Sequence, residues 1–387
     1  MLKQARTTNW TFPYCPTGPD WSLNWEGIQR QFSWIQAMDG VPQSPIYHAE
    51  GNVLIHTSMV VSELAKLAEW RNLPEDERQI LFASALLHDV GKPHCTKIEG
   101  DGRITSRGHA RKGAGIARQE LWTGRELAQP APFAVREHIA QLVRFHGLPL
   151  QFLNHPQPEK AIIAASQHIR LDHVALLSEA DVRGRICPDT AEVLSRVELF
   201  RQLCQEQDCY SEPRQFANEQ SRFVYFRKED SDPNYVAYDE TTYEVILMSG
   251  LPGAGKDTWI REHKPDWPVI SLDNIRREYQ ISPEEDQGHV IQTAKERARV
   301  LLRAQQSFIW NATNVSRMLR QQLIDLFLSY RAKVHIVYID ASFSTILQRN
   351  RQRKEQVPEH VIYKLLGKLD IPDVTEAHIC ELYTEEL

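Results

Sequence analysis

Apolar residues in the first half of the chain recur at helical spacing. Val60, Leu64 and Leu67, and then Leu81, Ala85 and Leu86, each gather on one face of a 3.6-residue turn, with few β-branched alternating runs between positions 52 and 204. This pattern predicts an all-helical domain over 46–204. From 205 to 240 the residues turn polar and aromatic. Asp230-Ser231-Asp232-Pro233-Asn234 reads as a turn cluster and Phe223-Val224-Tyr225-Phe226 as a short strand, which places a connecting segment here. Beyond Thr241 the pattern alternates: strands over 243–249, 269–272, 308–310 and 333–340, with helical stretches from Lys256 onward and over 292–306. Such alternation predicts an α/β domain over 241–387, a parallel sheet flanked by helices. In residues 1–45, Trp21, Trp25, Ile28, Phe32 and Ile35 keep helical spacing, which predicts one apolar stripe packed on the helical domain. Stacking of nucleobases on those rings is the sharper reading, but aromatic stripes usually pack cores.

Composition narrows the class. A chain of 387 residues, with 42% hydrophobic and 25% charged side chains, fits two or three globular domains at roughly 100 to 200 residues each. Disordered, collagenous and disulfide-scaffold classes are excluded. The net charge of −6, from 45 basic and 51 acidic residues, argues against a surface coated in positive charge for sequence-blind DNA binding. The six cysteines form no CxxC pair, so neither a zinc ribbon nor a disulfide framework is suggested, and reduced thiols in the cytoplasm are expected. Met1-Leu2-Lys3-Gln4-Ala5-Arg6 leads into no apolar stretch of signal length, and no run approaches the roughly 20 residues that span a bilayer.

The chemistry in the second half begins at Gly250-Leu251-Pro252-Gly253-Ala254-Gly255-Lys256, between an apolar strand and a helical stretch. In that context the glycines let backbone N–H groups approach phosphates, and Lys256 supplies a charge toward the transferred one. Gly250, Gly253, Ala254, Gly255, Lys256, Asp257 and Thr258 are thus the candidate nucleotide cradle. Asp257 stands where Ser or Thr normally meets Mg²⁺. It can bind the ion directly or through water, and Thr258 can instead contact a phosphate. Asp273 closes the next strand, where a carboxylate can take the proton of an attacking hydroxyl, and Arg276, one turn on, can grip an acceptor phosphate. Asp273 could equally cap its helix. Asn311 occupies a strand end where many P-loop proteins carry a carboxylate. In Gln348-Arg349-Asn350-Arg351-Gln352-Arg353-Lys354, Arg349 and Arg353 are four apart and can reach one nucleotide from a helix.

The helical half carries His56, the doublet His88-Asp89 and Asp181, nitrogen and oxygen donors that suit a divalent transition metal. Lys92 and Arg183 flank them and can hold phosphate oxygens. A metal at such a centre activates water and polarises a phosphoryl group, so phosphoester hydrolysis is the expected reaction class.

The HD doublet and its partners resemble the HD-family phosphohydrolases. That resemblance adds His109 and His146 as ligands of a second ion. From Gly250 through Asp273, Arg276, Asn314, the arginine-rich stretch and Val357-Pro358-Glu359, the second half resembles P-loop phosphotransferases of the polynucleotide kinase type. The two in tandem are similar to the bacterial end-healing enzymes of the HD-Pnk family over about 45–387. The resemblance implies that Lys256 stabilises the transition state, Asp273 is general base for a 5′-OH, Arg276 holds the acceptor, and Arg349 and Arg353 form a lid on an NTP donor bound with Mg²⁺. It implies that the HD half removes 2′,3′-cyclic phosphate and 2′-phosphate from RNA or DNA ends, which pass to a ligase. Membranes play no part in that expectation, and a homodimer is left open. A metabolite kinase fused to a nucleotide phosphohydrolase, and a non-catalytic ATP-gated RNA-binding switch, are the alternatives.

Overall fold

The computed structural model describes residues 10–282, 285–353 and 355–385. Lys354, in the basic stretch, lies outside them. The chain divides into two compact units, Met1–Gln215 and Phe216–Leu387. Among the described residues no helix is long and apolar enough to cross a membrane.

The first unit is helical. Asn52 starts the helix Val53–Leu64 by accepting the Ile55 N–H at 3.0 Å. The helix Glu75–Leu87 opens with three acidic residues at its positive end. These two pack with the helices Phe133–Phe145 and Leu171–Arg183 around a core that includes Leu86, Ile139, Leu142, Val174 and Leu177. A short antiparallel pair, β1 (Lys97–Ile98) and β2 (Ile104–Thr105), precedes the helix His109–Thr123. That helix crosses very close to Gly91. A Cβ there would lie 2.1 Å from the His109 carbonyl oxygen and 2.7 Å from the Gly113 nitrogen. The glycine therefore sets how near His109 comes to the His88-Asp89 turn. Gly184 has the same use on the other side, since a Cβ would meet Val60 at 2.7 Å, and it seats the Asp181 helix against the His56 helix.

The expected single stripe over 21–35 is broken. Phe32 is extended (φ −101°, ψ 110°) between the short helices Trp25–Gln31 and Ser33–Gln36. The Glu126 carboxylate accepts the Ser33 N–H at 3.0 Å and so starts a new helix there. Ile28, Phe32 and Ile35 are fully buried. Phe12 stacks on Phe32 at 5.4 Å, while Trp21 meets Trp70 edge-on at 5.6 Å, with Arg71 and Arg78 over its ring. These rings are engaged in packing.

The connecting segment divides at Gln215. Arg214 keeps the earlier part on the first unit through its N–H to Ser166 Oγ (3.2 Å). Residues 216–240 fold with the second unit. Residues 223–226, expected as a strand, belong to the helix Glu219–Arg227. Asn218 caps it through the Ser221 N–H (2.8 Å). Arg222 donates to the Val374 and His378 carbonyls at 3.0 and 2.7 Å, and Phe223 stacks on His378 at 3.9 Å. The capping signal and this anchorage outweigh the strand propensity of four aromatic and β-branched residues.

The second unit holds a five-stranded sheet, all parallel, in the order β4-β5-β3-β6-β7. The strands are β3 (Glu244–Ser249), β4 (Val269–Ser271), β5 (Phe308–Asn311), β6 (Lys333–Ile339) and β7 (Ile379–Tyr383). Both faces are covered, so β3 and β6 read as nearly continuous apolar runs. Val245, Leu247, Phe308, Trp310, Val334 and Ile336 pack on one face with the helices Gly288–Arg303 and Arg317–Leu328. Ile246, Met248, Ile309 and Val337 pack on the other with Trp259 and Ile260. The architecture is thus a helical region followed by an α/β domain, and the carboxyl ends of β3, β4 and β5 carry the nucleotide-site candidates.

Candidate active sites

All six residues expected as metal ligands converge in the first unit. His56, His88 and Asp181 form one group and Asp89, His109 and His146 another, with the ligand atoms in each within 4.8 Å of one another. Each imidazole has an acceptor opposite Nδ1. For His88, His109 and His146 these are the carbonyls of Ala85 (2.7 Å), Ser106 (2.8 Å) and Val143 (2.8 Å). For His56 it is Glu50 Oε1 at 3.0 Å. Such partners hold the proton on Nδ1 and turn the Nε2 lone pair inward.

The inward atoms then confront one another. His56 Nε2 lies 3.1 Å from Asp181 Oδ1 and 3.4 Å from His88 Nε2. His88 Nε2 is 3.2 Å from Asp89 Oδ2, while His109 Nε2 is 3.4 Å from Asp89 Oδ1. Both Asp89 oxygens are buried; Oδ1 receives no hydrogen bond, and Oδ2 is approached by the Lys92 ammonium at 2.7 Å. Convergent acceptors of this kind, all buried except the half-buried His109, fit a divalent cation between them. Asp89 faces one group with each oxygen.

Electrostatics agree. Burial raises the Asp89 carboxyl, but the adjacent Lys92 ammonium lowers it, and the net result lies well below the usual carboxylate range. Burial pushes His146 down to about 3 and also lowers His109, so both rings stay neutral and able to ligate. Lys92 Nζ is 2.7 Å from Asp89 Oδ2 and donates to Gln43 Oε1 at 2.6 Å, which leaves it at the edge of the centre.

Arg183 is not at this site. Two residues past Asp181 it points round the helix, donates to Glu179 Oε1 at 2.9 Å and stays 42% exposed. The cation that reaches the centre is Arg185, whose Nε donates to Asp181 Oδ1 at 3.0 Å. Arg185 lies past Gly184, beyond the helix end, so helical spacing alone does not assign it. Glu50 and His48 were also missed. Glu50 binds His48 Nδ1 at 2.8 Å, His56 Nδ1 at 3.0 Å and the Ile186 N–H at 2.9 Å. It joins the start of one ligand helix to the end of another, a link across 136 residues that no local pattern reveals.

In the second unit β3 runs into the loop 250–255 and the helix Lys256–His263. Gly250, Gly253 and Gly255 have φ of +141°, +83° and +119°. A side chain at Gly250 would meet the Ile339 carbonyl oxygen at 2.5 Å. Lys256 is folded over the loop, Nζ donating to the Gly250 and Leu251 carbonyls at 2.9 and 3.0 Å, and burial lowers its pKa to about 8. Asp257 accepts from Asn311 Nδ2 at 2.6 Å. Thr258 is exposed, its hydroxyl 3.4 Å from Arg261.

Ser271, not Asp273, caps the helix Leu272–Tyr279, through the Asn274 N–H at 3.3 Å. Asp273 sits in the first turn with its side chain 59% exposed, ion-paired to Arg276 and 3.9 Å from Arg353. Arg276 also donates to Gln287 Oε1 at 2.7 Å. Arg349 and Arg353 do not share a helical face. The helix Phe343–Gln352 ends before Arg353, which is extended (ψ 144°). Arg349 instead reaches the loop, donating to the Ala254 carbonyl at 3.0 Å, and pairs with Glu385. Arg349 thus reaches the phosphate loop, and Arg353 comes within 3.9 Å of Asp273.

Comparison with known proteins accords with both geometries. An HD domain model matches residues 53–167 and an AAA domain model matches residues 245–372. The chain fuses an HD phosphohydrolase-type domain to a P-loop kinase domain. An L-seryl-tRNA(Sec) kinase of Methanococcus maripaludis is 24% identical over 135 residues, which is 33% of this chain and 53% of that protein. A multifunctional CCA protein of Methylococcus capsulatus is 32% identical over 121 residues, 31% of this chain and 25% of that protein. The chain thus spans about half and a quarter of these relatives. Among solved structures, a sugar kinase of a Janibacter species is 17% identical with a TM-score of 0.29, over 37% of this chain and 86% of that one.

Proposed function

We propose that this chain is a bifunctional nucleic-acid end-healing enzyme, with the second unit phosphorylating 5′-OH ends and the first clearing 2′,3′-cyclic phosphate and 2′-phosphate ends. One observation carries it: a single polypeptide pairs six convergent His and Asp side chains that could hold metal with a phosphate loop beside which Asp273 is open to solvent and 3.9 Å from Arg353. A 59% exposed carboxylate suits an acceptor as large as a polynucleotide end. One relative is named for a kinase of seryl-tRNA, which favours RNA among acceptors.

In the kinase reaction the 5′-oxygen attacks the terminal phosphorus of an NTP, the bond to the departing NDP breaks, and Asp273 takes the hydroxyl proton. Arg276 holds the acceptor's phosphate. Lys256 turns from the loop carbonyls to the transferred group, and Arg349 and Arg353 close on donor and acceptor sides. In the HD unit His56, His88 and Asp181 would hold one divalent ion and His109 and His146 a second, with Asp89 between. Such ions activate water and withdraw charge from the phosphoryl group. Lys92 and Arg185 neutralise non-bridging oxygens at the rim. Hydrolysis of the cyclic ester opens one ring P–O bond, and a second round releases phosphate. Healed ends would pass to a ligase, and six free cysteines suit a reducing cytoplasm.

The test is direct. The chain is incubated with labelled ATP, Mg²⁺ and a 5′-OH oligonucleotide, and separately with a transition metal and an oligonucleotide ending in 2′,3′-cyclic phosphate. Label transfer and phosphate release are expected. Transfer to a sugar or nucleoside alone would favour a metabolite kinase instead.

A further inference from the structure

P-loop enzymes divide their Mg²⁺ contacts between a hydroxyl just after the loop lysine and a carboxylate at the end of a neighbouring strand. Here both positions are altered together. The residue after Lys256 is Asp257, and the residue ending β5 is Asn311. β5 pairs directly with β3, the strand that feeds the loop, so the two side chains meet: Asn311 Nδ2 donates to Asp257 Oδ1 at 2.6 Å. The hydrogen bond between the two positions is present and one carboxylate is present, but the negative charge stands on the helix rather than on the strand.

This exchange is chemically coherent. Asp257 lies in the first turn of the helix Lys256–His263, whose N-terminal end favours an anion. The mostly buried Asn311 amide fixes the direction of the carboxylate without adding charge. Asp257 and Thr258 are both exposed, and the Thr258 hydroxyl accepts from Arg261 at 3.4 Å, whereas Asp257 is the one held by the β5 amide. A carboxylate at this point also stands next to where a polyphosphate must lie, and like charges that close repel unless a cation sits between them.

We propose that Asp257, oriented by Asn311, is the Mg²⁺-binding carboxylate of the nucleotide site, and that the exchange makes nucleotide binding strictly conditional on a divalent cation. The inference rests on the reading of this unit as a nucleotide-using kinase.

The experiment measures affinity rather than turnover. Binding of a non-hydrolysable ATP analogue to the full chain is followed by calorimetry in Mg²⁺ and in EDTA. The original chain is expected to bind in Mg²⁺ and to lose on the order of tenfold or more in EDTA. Asp257→Asn, close to isosteric, is expected to collapse that ratio to near one by gaining affinity in EDTA and losing it in Mg²⁺. Asp257→Ser combined with Asn311→Asp, which returns the charge to the strand, is expected to restore Mg²⁺ dependence. Circular dichroism melting confirms that each variant is folded. An unchanged Mg²⁺-to-EDTA ratio in folded Asp257→Asn overturns the proposal while leaving the kinase reading intact. Absence of binding by the original chain in Mg²⁺ overturns both.

Discussion

Arg185 lies just past the end of the helix that carries Asp181, and its guanidinium takes both oxygens of that carboxylate, Nε at 3.0 Å from Oδ1. Asp181 is fully buried and also faces His56, so one carboxylate is oriented by an arginine on one side and completes the histidine cluster on the other. Burial raises its pKa, but Arg185 counters that, and the carboxyl stays well below the usual range. We expect Arg185→Ala to lower phosphate release from a cyclic-phosphate end by roughly ten- to a hundredfold, the usual cost of removing an outer partner of a metal site. Arg183→Ala, which breaks only an exposed pair with Glu179, should leave release within about twofold, since such pairs contribute little. Equal losses in the two variants would contradict this assignment.

That distinction shows where the sequence is legible. The His88-Asp89 doublet, His56 and Asp181 announce their chemistry by residue type, and helical periodicity places them in a helical domain. Direction round a helix is weaker information: Arg183 is nearer to Asp181 in sequence, yet about 200° away on the helix at 3.6 residues per turn. Glu50 is illegible because its link to His56 and Ile186 depends on how two helices close, which Gly184 permits. In the second unit the alternation of apolar runs reveals the parallel sheet, since strands buried on both faces need no polar alternation. The helix Glu219–Arg227 escapes notice because its four central residues favour strands by propensity, while the contacts that decide, to Val374 and His378, lie far along the chain.

Glu50 should govern metal affinity rather than chemistry. Its carboxylate receives His56 Nδ1, and without it the ring loses the partner that fixes its tautomer. Glu50→Ala is expected to weaken metal binding by about ten- to a hundredfold, read as metal retained per chain after dialysis against graded chelator. Glu50→Gln should recover part of it. Full retention by Glu50→Ala would show that the Gly184 carbonyl, 3.3 Å from the same nitrogen, suffices.

The phosphate loop leans on a buried ion pair. Arg320 and Glu376 are both fully buried and doubly bonded, at 2.9 and 2.7 Å, and Arg320 also donates to the Asn314 carbonyl at 3.0 Å. Asn314 in turn donates to Met248 at 2.7 Å and accepts from Ser249 at 3.1 Å, next to the loop. Glu376→Ala is expected to destabilise the second unit by about 3 to 5 kcal/mol, because it leaves an uncompensated buried charge. Arg320→Met with Glu376→Met should cost less than that single change. Urea unfolding followed by tryptophan fluorescence measures both.

Acid sensitivity should trace partly to His138. The half-buried ring lies 3.0 Å from His173, which itself meets Glu77 at 2.9 Å, and desolvation pushes His138 down to about 3 from 6.5. Its folded pKa lies below its unfolded one, so as pH falls below 6.5 the unfolded chain takes up a proton that the folded chain refuses. Stability from this group is therefore lost on acidification, by roughly 2 kcal/mol between pH 6.5 and 5. In His138→Gln the fall in urea midpoint over that range should be smaller. An identical fall in both proteins would remove His138 from the account.

The central claim is that two independent centres in one chain handle phosphorus, one adding it and one removing it. A single preparation of the chain, of Asp273→Ala and of Asp89→Ala is assayed for label transfer from ATP to a 5′-OH RNA and for release of phosphate from a 2′,3′-cyclic end. Transfer alone should vanish in Asp273→Ala and release alone in Asp89→Ala. Loss of both activities in either variant, with its fold intact, would contradict the claim.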